Sequence, residues 1–234
     1  MSSTNPNNKL SISLHPVPPT PTAALTLVTL HNEAFAHDPF LELMYGPLSE
    51  EVDSFAADIQ AIMRDDPTAR FTQAVVAAGS EKETVVGWSW WNVYPDRTSY
   101  LAAKAKDEER ARQPPKTALC PAAYVDWKVE VGRRRERWIE RHGEGEGGVA
   151  ILQVLVVAPS YQNRGIGTQL LRHGLQEAKA LKIPAWLEAS EEGYGVYTKC
   201  GFRDVQDDIV LDMKRYGRED AEGVGRWGIC MLMD

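Results

Sequence analysis

The chain has 234 residues, of which 43% are hydrophobic and 25% are charged, and its formal net charge at pH 7 is −7. These proportions are typical of a globular protein, and the acidic balance argues against a general nucleic-acid binder. The sequence shows neither an apolar signal core near its start nor a run of about 18 apolar residues, so we expect no membrane partner.

The cysteines and histidines give no sign of a metal centre. Cys120, Cys200 and Cys230 are odd in number and widely spaced, which predicts reduced thiols and a cytoplasmic location. The sequence contains no C-x-x-C pair and no ligand set with zinc spacing, and its five histidines share no motif. We therefore expect no metal cofactor.

The first part of the chain predicts a tail, a strand and two helices. Residues 1–9 are polar and predict a disordered tail, whereas residues 10–234 are expected to form one domain. Alternating Ile12 and Leu14 predict the first strand. Apolar residues at helical spacing predict a helix that ends near residues 37–39 and another that stops by residue 66.

Two further strands are predicted over residues 72–78 and 84–93, joined as a hairpin by residues 79–82. The second of these strands is rich in tryptophan. A period of two places Trp88 and Trp90 on one face of the sheet and Trp91 on the other. These side chains are interpreted either as core packing or as the lining of a binding pocket.

From about residue 95 to residue 148 the sequence becomes charged and helical, with a break at Pro114-Pro115. We predict a helical insertion between the third and fourth strands, ending in a flexible joint over residues 143–148. Its basic cluster, residues 133–137, is typical of a solvated helix face, and a contact with a phosphate group is the alternative.

The stretch that follows, ILQVLVVAPSYQNRGIG, predicts a buried strand, a glycine-containing turn and the start of a helix. Glycines just before a helix let the backbone approach a ligand closely, and the unpaired N–H groups of the first helical turn favour a phosphate. A P-loop is excluded because no lysine follows Gly167. A dinucleotide fingerprint is excluded because Leu170 occupies the place of its third glycine.

The remaining elements alternate. A helix over residues 168–181 is followed by a strand over residues 185–189 and by a short helix that Ser190 caps and Gly201 ends. An antiparallel pair over residues 202–213 and 226–233 closes the chain.

The segment Gln162-Asn163-Arg164-Gly165-Ile166-Gly167 resembles the Q/R-x-x-G-x-G/A signature of the GNAT acetyltransferase superfamily. The segment from Tyr197 to Phe202 is similar to the Y-x-x-x-G-F that closes the family's last helix. The resemblance extends from about residue 10 to the end. It implies an α/β (α+β) GNAT fold, which is a mixed central sheet of about seven strands, flanked by helices, with a V-shaped splay between strands 4 and 5.

By this resemblance acetyl-CoA is the co-substrate, its pantetheine arm pairs with the fourth strand and its pyrophosphate lies on the glycine loop. Ser190 stands where the family often has an asparagine that contacts the pantetheine. The cofactor-binding residues that the resemblance implies are Leu155, Val156, Val157, Gln162, Asn163, Arg164, Gly165, Ile166, Gly167, Thr168, Ser190 and Tyr197.

The resemblance also implies catalytic roles. Tyr197 matches the position that supplies the general acid in many family members, and Glu188, at the end of the fifth strand, is the candidate general base. Asp126, Glu130 and an ordered water are the alternative bases, and a nucleophilic Cys200 has little support because no histidine is near it in sequence. The predicted acceptor-site residues are Phe35, Phe40, Trp88, Trp90 and Asp126.

The leading hypothesis is an N-acetyltransferase that acts on the primary amine of a small molecule by direct attack in a ternary complex. The alternatives are a peptide or protein N-acetyltransferase and a CoA-binding module without catalysis. By analogy with the family we expect a monomer or a homodimer, with no nucleic-acid partner.

Overall fold

The computed structural model of the protein describes residues 11–36, 38–77, 83–142, 147–217 and 225–234. Their strands form a mixed sheet in the order β1-β2-β3-β4-β5-β8-β6, with β7 paired to β8 outside this path. The pair β4–β5 is parallel, as the predicted mixed sheet requires. The strands are β1 (Ser11–Pro16), β2 (Ala69–Ala77), β3 (Thr84–Asp96), β4 (Gly147–Val157), β5 (Ala185–Ala189), β6 (Arg203–Asp204), β7 (Ile209–Leu211) and β8 (Gly225–Met233).

Helices cover both faces of this sheet. The α-helices are α1 (Pro21–Ala34), α2 (Pro39–Tyr45), α3 (Val52–Asp65), α4 (Arg97–Ala111), α5 (Pro121–His142), α6 (Ile166–Leu181) and α7 (Glu191–Lys199). Helices α1 to α5 pack on the face that carries Trp88 and Tyr94, and α6 and α7 pack on the face that carries Trp91. The period of two along β3 therefore separates the tryptophans as predicted.

The predicted insertion is confirmed as helices α4 and α5 between β3 and β4. Asp96 caps α4 by accepting a hydrogen bond from the Ser99 backbone N–H at 2.7 Å. The predicted flexible joint extends too far, because Gly147 and Gly148 already belong to β4 and pair along the end of β3. A side chain at Gly148 would collide with the Tyr94 carbonyl oxygen, so this glycine permits close strand pairing rather than flexibility.

The last antiparallel pair is more broken than predicted. In place of one strand over residues 202–213 the chain forms the short strands β6 and β7. Between them Gln206 adopts a left-handed φ of 57°, and the Asp207 carboxylate accepts hydrogen bonds from Arg137 and from the Trp138 indole of α5. The segment leaves the sheet because its acidic side chain is bound by the insertion.

Some predicted features lie outside the described residues. They are the tail over residues 1–9, residue 37 at the predicted end of the first helix, the hairpin turn over residues 79–82, residues 143–146 of the predicted joint and residues 218–224 of the last loop.

A buried ion pair joins the insertion to the sheet. Arg135 of α5 donates to both carboxylate oxygens of Glu188 on β5, at 2.9 and 2.8 Å, and the exposed fractions of the two side chains are 14% and 9%. Burial works against the charge of Arg135, but the Glu188 carboxylate more than offsets this and raises the arginine pKa. The Trp186 indole N–H donates to the same carboxylate at 2.6 Å.

We predict that Arg135→Gln lowers the free energy of unfolding by about 3 kcal/mol, because removal of one partner leaves a buried carboxylate without its counter-charge. Urea denaturation measures this difference. The matched control is Arg133→Gln, which breaks a pair with Glu130 in the same helix, where the arginine side chain is 66% exposed. That change is expected to cost less than about 0.5 kcal/mol. Equal effects of the two substitutions would contradict the anchoring role of Arg135.

Candidate functional site

The sheet opens between β4 and β5. These parallel strands pair only at Ala150–Ala185 and Ile151–Trp186, and the remaining residues of β4 have no partner on β5. The backbone N–H and C=O groups on that side of β4 are therefore free to bind a ligand. This geometry confirms the V-shaped splay that the family resemblance implied.

A bulge determines which groups of β4 face the opening. Trp90 pairs with Val154 and Trp91 with Leu152, so Gln153 is an extra residue on β4. Beyond it the Ala158 N–H donates to the Val86 carbonyl of β3 at 2.9 Å. Since backbone groups alternate in direction along an antiparallel strand, those of Leu155 and Val157 face the opening.

The same alternation corrects one predicted contact. Val156 pairs with Trp88, and its backbone groups face β3. Its side chain is buried against α1. The backbone of Val156 is therefore not available to a pantetheine arm, whereas the Leu155 backbone and the Val157 N–H face the opening.

The loop after β4 presents the start of α6 to the same opening. Gly165 precedes α6 with a left-handed φ of 79° and no side-chain cap, and the first helical hydrogen bond is donated by the Gln169 N–H to the Gly165 carbonyl. The N–H groups of Ile166, Gly167 and Thr168 belong to the first turn and have no acceptor within the helix. With the positive end of the helix dipole they form an anion site.

The side chains of the loop stabilise its conformation through hydrogen bonds to nearby backbone carbonyls. The Gln162 side-chain amide donates to the Val157 carbonyl at 3.1 Å, and Arg164 donates to the Ser160 carbonyl at 3.0 Å. Arg164 also lies over the Tyr161 ring, at 5.3 Å from its centre. Asn163 has a left-handed φ of 59°. The loop is exposed from residue 162 to residue 165, so its backbone is accessible to a large ligand.

A single cleft of about 2540 Å³ connects this loop with the splayed strands and with the insertion. Ordinary small-molecule pockets measure about 300–1,000 Å³, so the cleft has room for a large co-substrate and an acceptor together. The predicted cofactor residues Gly165, Gly167 and Ser190 line it, as does Tyr197.

Tyr197 projects from α7 into this cleft. Ser190 caps that helix by accepting a hydrogen bond from the Gly193 N–H at 3.2 Å, as predicted, and the Ser190 hydroxyl retains its own hydrogen as a donor. Gly193 packs directly on the Tyr197 ring, and a Cβ there would lie 2.8 Å from the ring carbon Cε2. Burial raises the pKa of Tyr197, so the hydroxyl stays protonated at neutral pH.

Glu188 lines the cleft but does not suit the predicted role of general base. Both of its carboxylate oxygens already accept hydrogen bonds, from Arg135 and from the Trp186 indole. The structure gives it an anchoring role instead. The alternative bases in the insertion do not line the cleft, because Glu130 pairs with Arg133 and Arg134 and Asp126 accepts a hydrogen bond from the Tyr216 hydroxyl at 2.7 Å.

The predicted acceptor-site residues divide into two groups. Phe35, Phe40 and Trp90 line the cleft. Trp88 does not, because it is fully buried and its indole N–H donates to the Leu27 carbonyl at 3.0 Å. Asp126 faces Tyr216 rather than the cleft, so both of these predictions are corrected.

Sequence reasoning missed a polar cluster on the same face of β3 as Trp90. The Asn92 amide donates to Asp66 at 3.1 Å and to Thr68 at 2.9 Å, and all three side chains line the cleft. Tyr94 lies two residues further along the strand, and burial, with a smaller effect of Asp107, raises its pKa to about 12. The sequence did contain a signal for this cluster, because Trp88, Trp90, Asn92 and Tyr94 are spaced two residues apart and therefore share one face of β3.

The described residues offer neither a metal site nor a membrane-spanning helix. They contain no group of three or more histidine, cysteine, aspartate or glutamate side chains arranged to hold a metal ion. They also contain no helix that is long and apolar enough to cross a bilayer.

Comparison with solved structures identifies relatives of the same fold. Agmatine N-acetyltransferase aligns with a TM-score of 0.62 at 12% identity and covers 94% of this chain and 97% of that one. Mosquito arylalkylamine N-acetyltransferase like 5b has a TM-score of 0.60 at 15% identity, with 95% and 98% covered. PaiA N-acetyltransferase from Thermoplasma acidophilum, solved with coenzyme A, has a TM-score of 0.50 at 15% identity, with 96% and 99% covered.

At these identities the likeness concerns the fold, and a sequence search of curated proteins found no match. The family is shown by sequence instead. The sequence model described as the acetyltransferase (GNAT) family matches residues 41–202, a span that contains the bulge, the glycine loop and Tyr197. The chain therefore belongs to the GNAT family and is an enzyme of the N-acetyltransferase class.

Proposed function

We propose that the protein transfers the acetyl group of acetyl-CoA to the primary amine of a small molecule, by direct attack in a ternary complex. One observation carries this proposal. The open backbone of β4, the uncapped start of α6 and Tyr197 all border one cleft, which Phe35, Phe40 and Trp90 also line.

Two sets of backbone groups in this chain are suited to bind acetyl-CoA. The Leu155 backbone and the Val157 N–H are suited to the amides of the pantetheine arm. The first-turn N–H groups of Ile166, Gly167 and Thr168 are suited to the pyrophosphate. Gln162, Asn163 and Arg164 maintain the loop that presents these groups.

In the reaction the amine attacks the thioester carbonyl, and negative charge develops on its oxygen. A backbone N–H of the open part of β4, near Val157, is the proposed donor to that oxygen. Tyr197 is the proposed general acid for the departing sulfur, because it lines the same cleft as the open backbone of β4 and its phenolic hydroxyl is protonated at neutral pH.

The cleft favours a small acceptor. Phe35, Phe40 and Trp90 supply aromatic surface, and α4 and α5 of the insertion wall the cleft on the far side. The relatives named for agmatine and for arylalkylamines act on small amines, which supports this choice. A peptide acceptor would need an open groove. The presence of Tyr197 at the position of the family's general acid argues against a non-catalytic module.

The proposed setting is the cytoplasm. The three cysteines are free thiols, as in proteins of a reducing compartment. We propose that the protein acts there as a monomer or a homodimer.

The decisive experiment follows the release of free thiol from acetyl-CoA with a panel of small amines, amino acids and peptides. Thiol release that requires one class of small amine is the expected result. Release with peptides alone would replace the proposed acceptor class. CoA binding without turnover on any acceptor would favour the non-catalytic module.

We predict that Tyr197→Phe lowers kcat by about 100-fold or more while the dissociation constant of CoA changes little, because the substitution removes only the proton donor. Thiol release and calorimetry measure the two quantities. Tyr216→Phe is the matched control, since that hydroxyl is bound to Asp126 away from the cleft. Full activity of the Tyr197 variant would eliminate this residue as the acid.

We predict that Gly165→Ala weakens CoA binding about 5- to 30-fold, which corresponds to the cost of about 1–2 kcal/mol for a side chain in the left-handed conformation. In the variant without ligand, the loop relieves this strain by changing its conformation. CoA binding must then restore the strained conformation, which lowers the affinity. Gly167→Ala is the control, because its Cβ would lie 3.7 Å from Val157 Cγ2, an ordinary contact. Equal affinities of the two variants would contradict the proposed loop geometry.

A further inference from the structure

The end of α1 places an imidazole in the cleft. The His31 ring lies between two phenylalanines, with ring centres 4.8 Å from Phe35 and 5.3 Å from Phe55. All three residues line the cleft. His31 is one helical turn beyond Leu27, whose carbonyl accepts the Trp88 indole N–H, so it belongs to a helix that packs on β3.

Neighbouring groups fix the tautomer of this imidazole. The Asn32 side chain lies 2.6 Å from the Leu48 carbonyl oxygen, which can only accept a hydrogen bond, so the amide nitrogen must face it. The amide oxygen of Asn32 then faces His31 Nδ1 at 3.0 Å. Because an amide oxygen can only accept, Nδ1 must carry the hydrogen. The lone pair of the neutral ring is therefore on Nε2.

That lone pair is open to the cleft. Within the described part of the chain Nε2 has no hydrogen-bond partner. The atom is not fully buried. A group bound in the cleft can therefore reach it.

The surroundings keep the ring neutral. Burial lowers the pKa of His31 below its usual 6.5, and the hydrogen bond with Asn32 and the nearby Asp38, which caps α2, oppose this shift only in part. Glu51, which precedes α3, and Asp58 of α3 line the same cleft. At pH 7 the ring is thus an unprotonated acceptor with a defined orientation.

The imidazole is also connected to the open strand. Phe35, Phe55, Trp90 and Val154 pack in one hydrophobic cluster. Val154 immediately precedes Leu155, whose backbone faces the opening between β4 and β5. His31, this aromatic surface and Leu155 therefore all line one cleft.

We propose that His31 Nε2 accepts the proton of the attacking amine, and that Asn32 is a positioning residue that holds the ring in the required tautomer. This inference rests on the proposed acetyl transfer. It replaces Glu188 as the base, since the Glu188 carboxylate is bound to Arg135.

The proton and electron balance is simple. The lone pair of the neutral amine forms the C–N bond, and the C=O electrons move to oxygen. The nitrogen is then cationic and acidic, and its proton passes to Nε2. The C=O bond re-forms as the C–S bond breaks, and the thiolate takes the Tyr197 proton. His31 then loses its proton to water and Tyr197 regains one from water, so the products are the amide and free CoA.

The kinetic test compares wild type, His31→Gln and Asn32→Ala, with kcat/KM expressed per concentration of neutral amine. In wild type this quantity should fall as the pH drops through a pKa below 6.5, because protonated His31 cannot accept a proton. His31→Gln should lose about 100-fold and show no such fall, while CoA affinity is retained. Asn32→Ala should move the fall to lower pH, because the imidazolium loses the acceptor that faces Nδ1.

His15→Gln is the matched control, because His15 lies on β1, bonded to Ser13 and away from the cleft. A His31→Gln variant with the wild-type pH profile would overturn the role of His31 while leaving acetyl transfer intact. Absence of wild-type turnover on any amine would instead overturn the proposed function. The two failures are therefore distinguishable.

A second measurement does not depend on activity. Imidazole nitrogen NMR of the full chain, assigned with His31→Gln, should show hydrogen on Nδ1 and titration below pH 6.5. Hydrogen on Nε2 in the neutral ring would overturn the proposal, because the lone pair would then face Asn32 rather than the cleft.

Discussion

The separation of β4 from β5 is the constraint on which the rest of the site depends. Pairing between these two strands stops after Ile151 and Trp186, and beyond that point β4 has no partner strand on its β5 side. The Gln153 bulge then turns the Leu155 and Val157 groups into the gap. Backbone groups that would be hydrogen-bonded in a continuous sheet are thus left facing the opening, where a ligand can bind them.

The gap needs support, and the insertion supplies part of it. The ion pair between Arg135 and Glu188 fastens α5 to β5, and the bonds from Arg137 and Trp138 to Asp207 fasten it to the segment before β7. Helices α4 and α5 are thereby held against the cleft as one of its walls. A carboxylate that the sequence suggested as a catalytic base serves this structural purpose.

Local sequence was sufficient for the glycine loop, the strands on either side of the splay and the Ser190 cap, since each depends on residues close together in the chain. It was insufficient for Trp88, because its period-two pattern fits both a core residue and a pocket residue. Only the hydrogen bond from its indole N–H to the Leu27 carbonyl assigns it to the core. Asp126 failed for the same reason, because Tyr216, its partner, lies 90 positions away. Partners at such distances leave no periodicity to detect.

The sequence by itself determined the family, through the spacing from Leu155 to Gly167 and through Tyr197 to Phe202, because a phosphate loop requires glycine at fixed positions in a continuous segment. Tertiary structure alone decided which side chains face the cleft. His31 illustrates the difference: its role depends on the Leu48 carbonyl that orients Asn32, on Phe55 from another helix and on burial. These contacts join residues that the chain separates, so only the folded protein defines them.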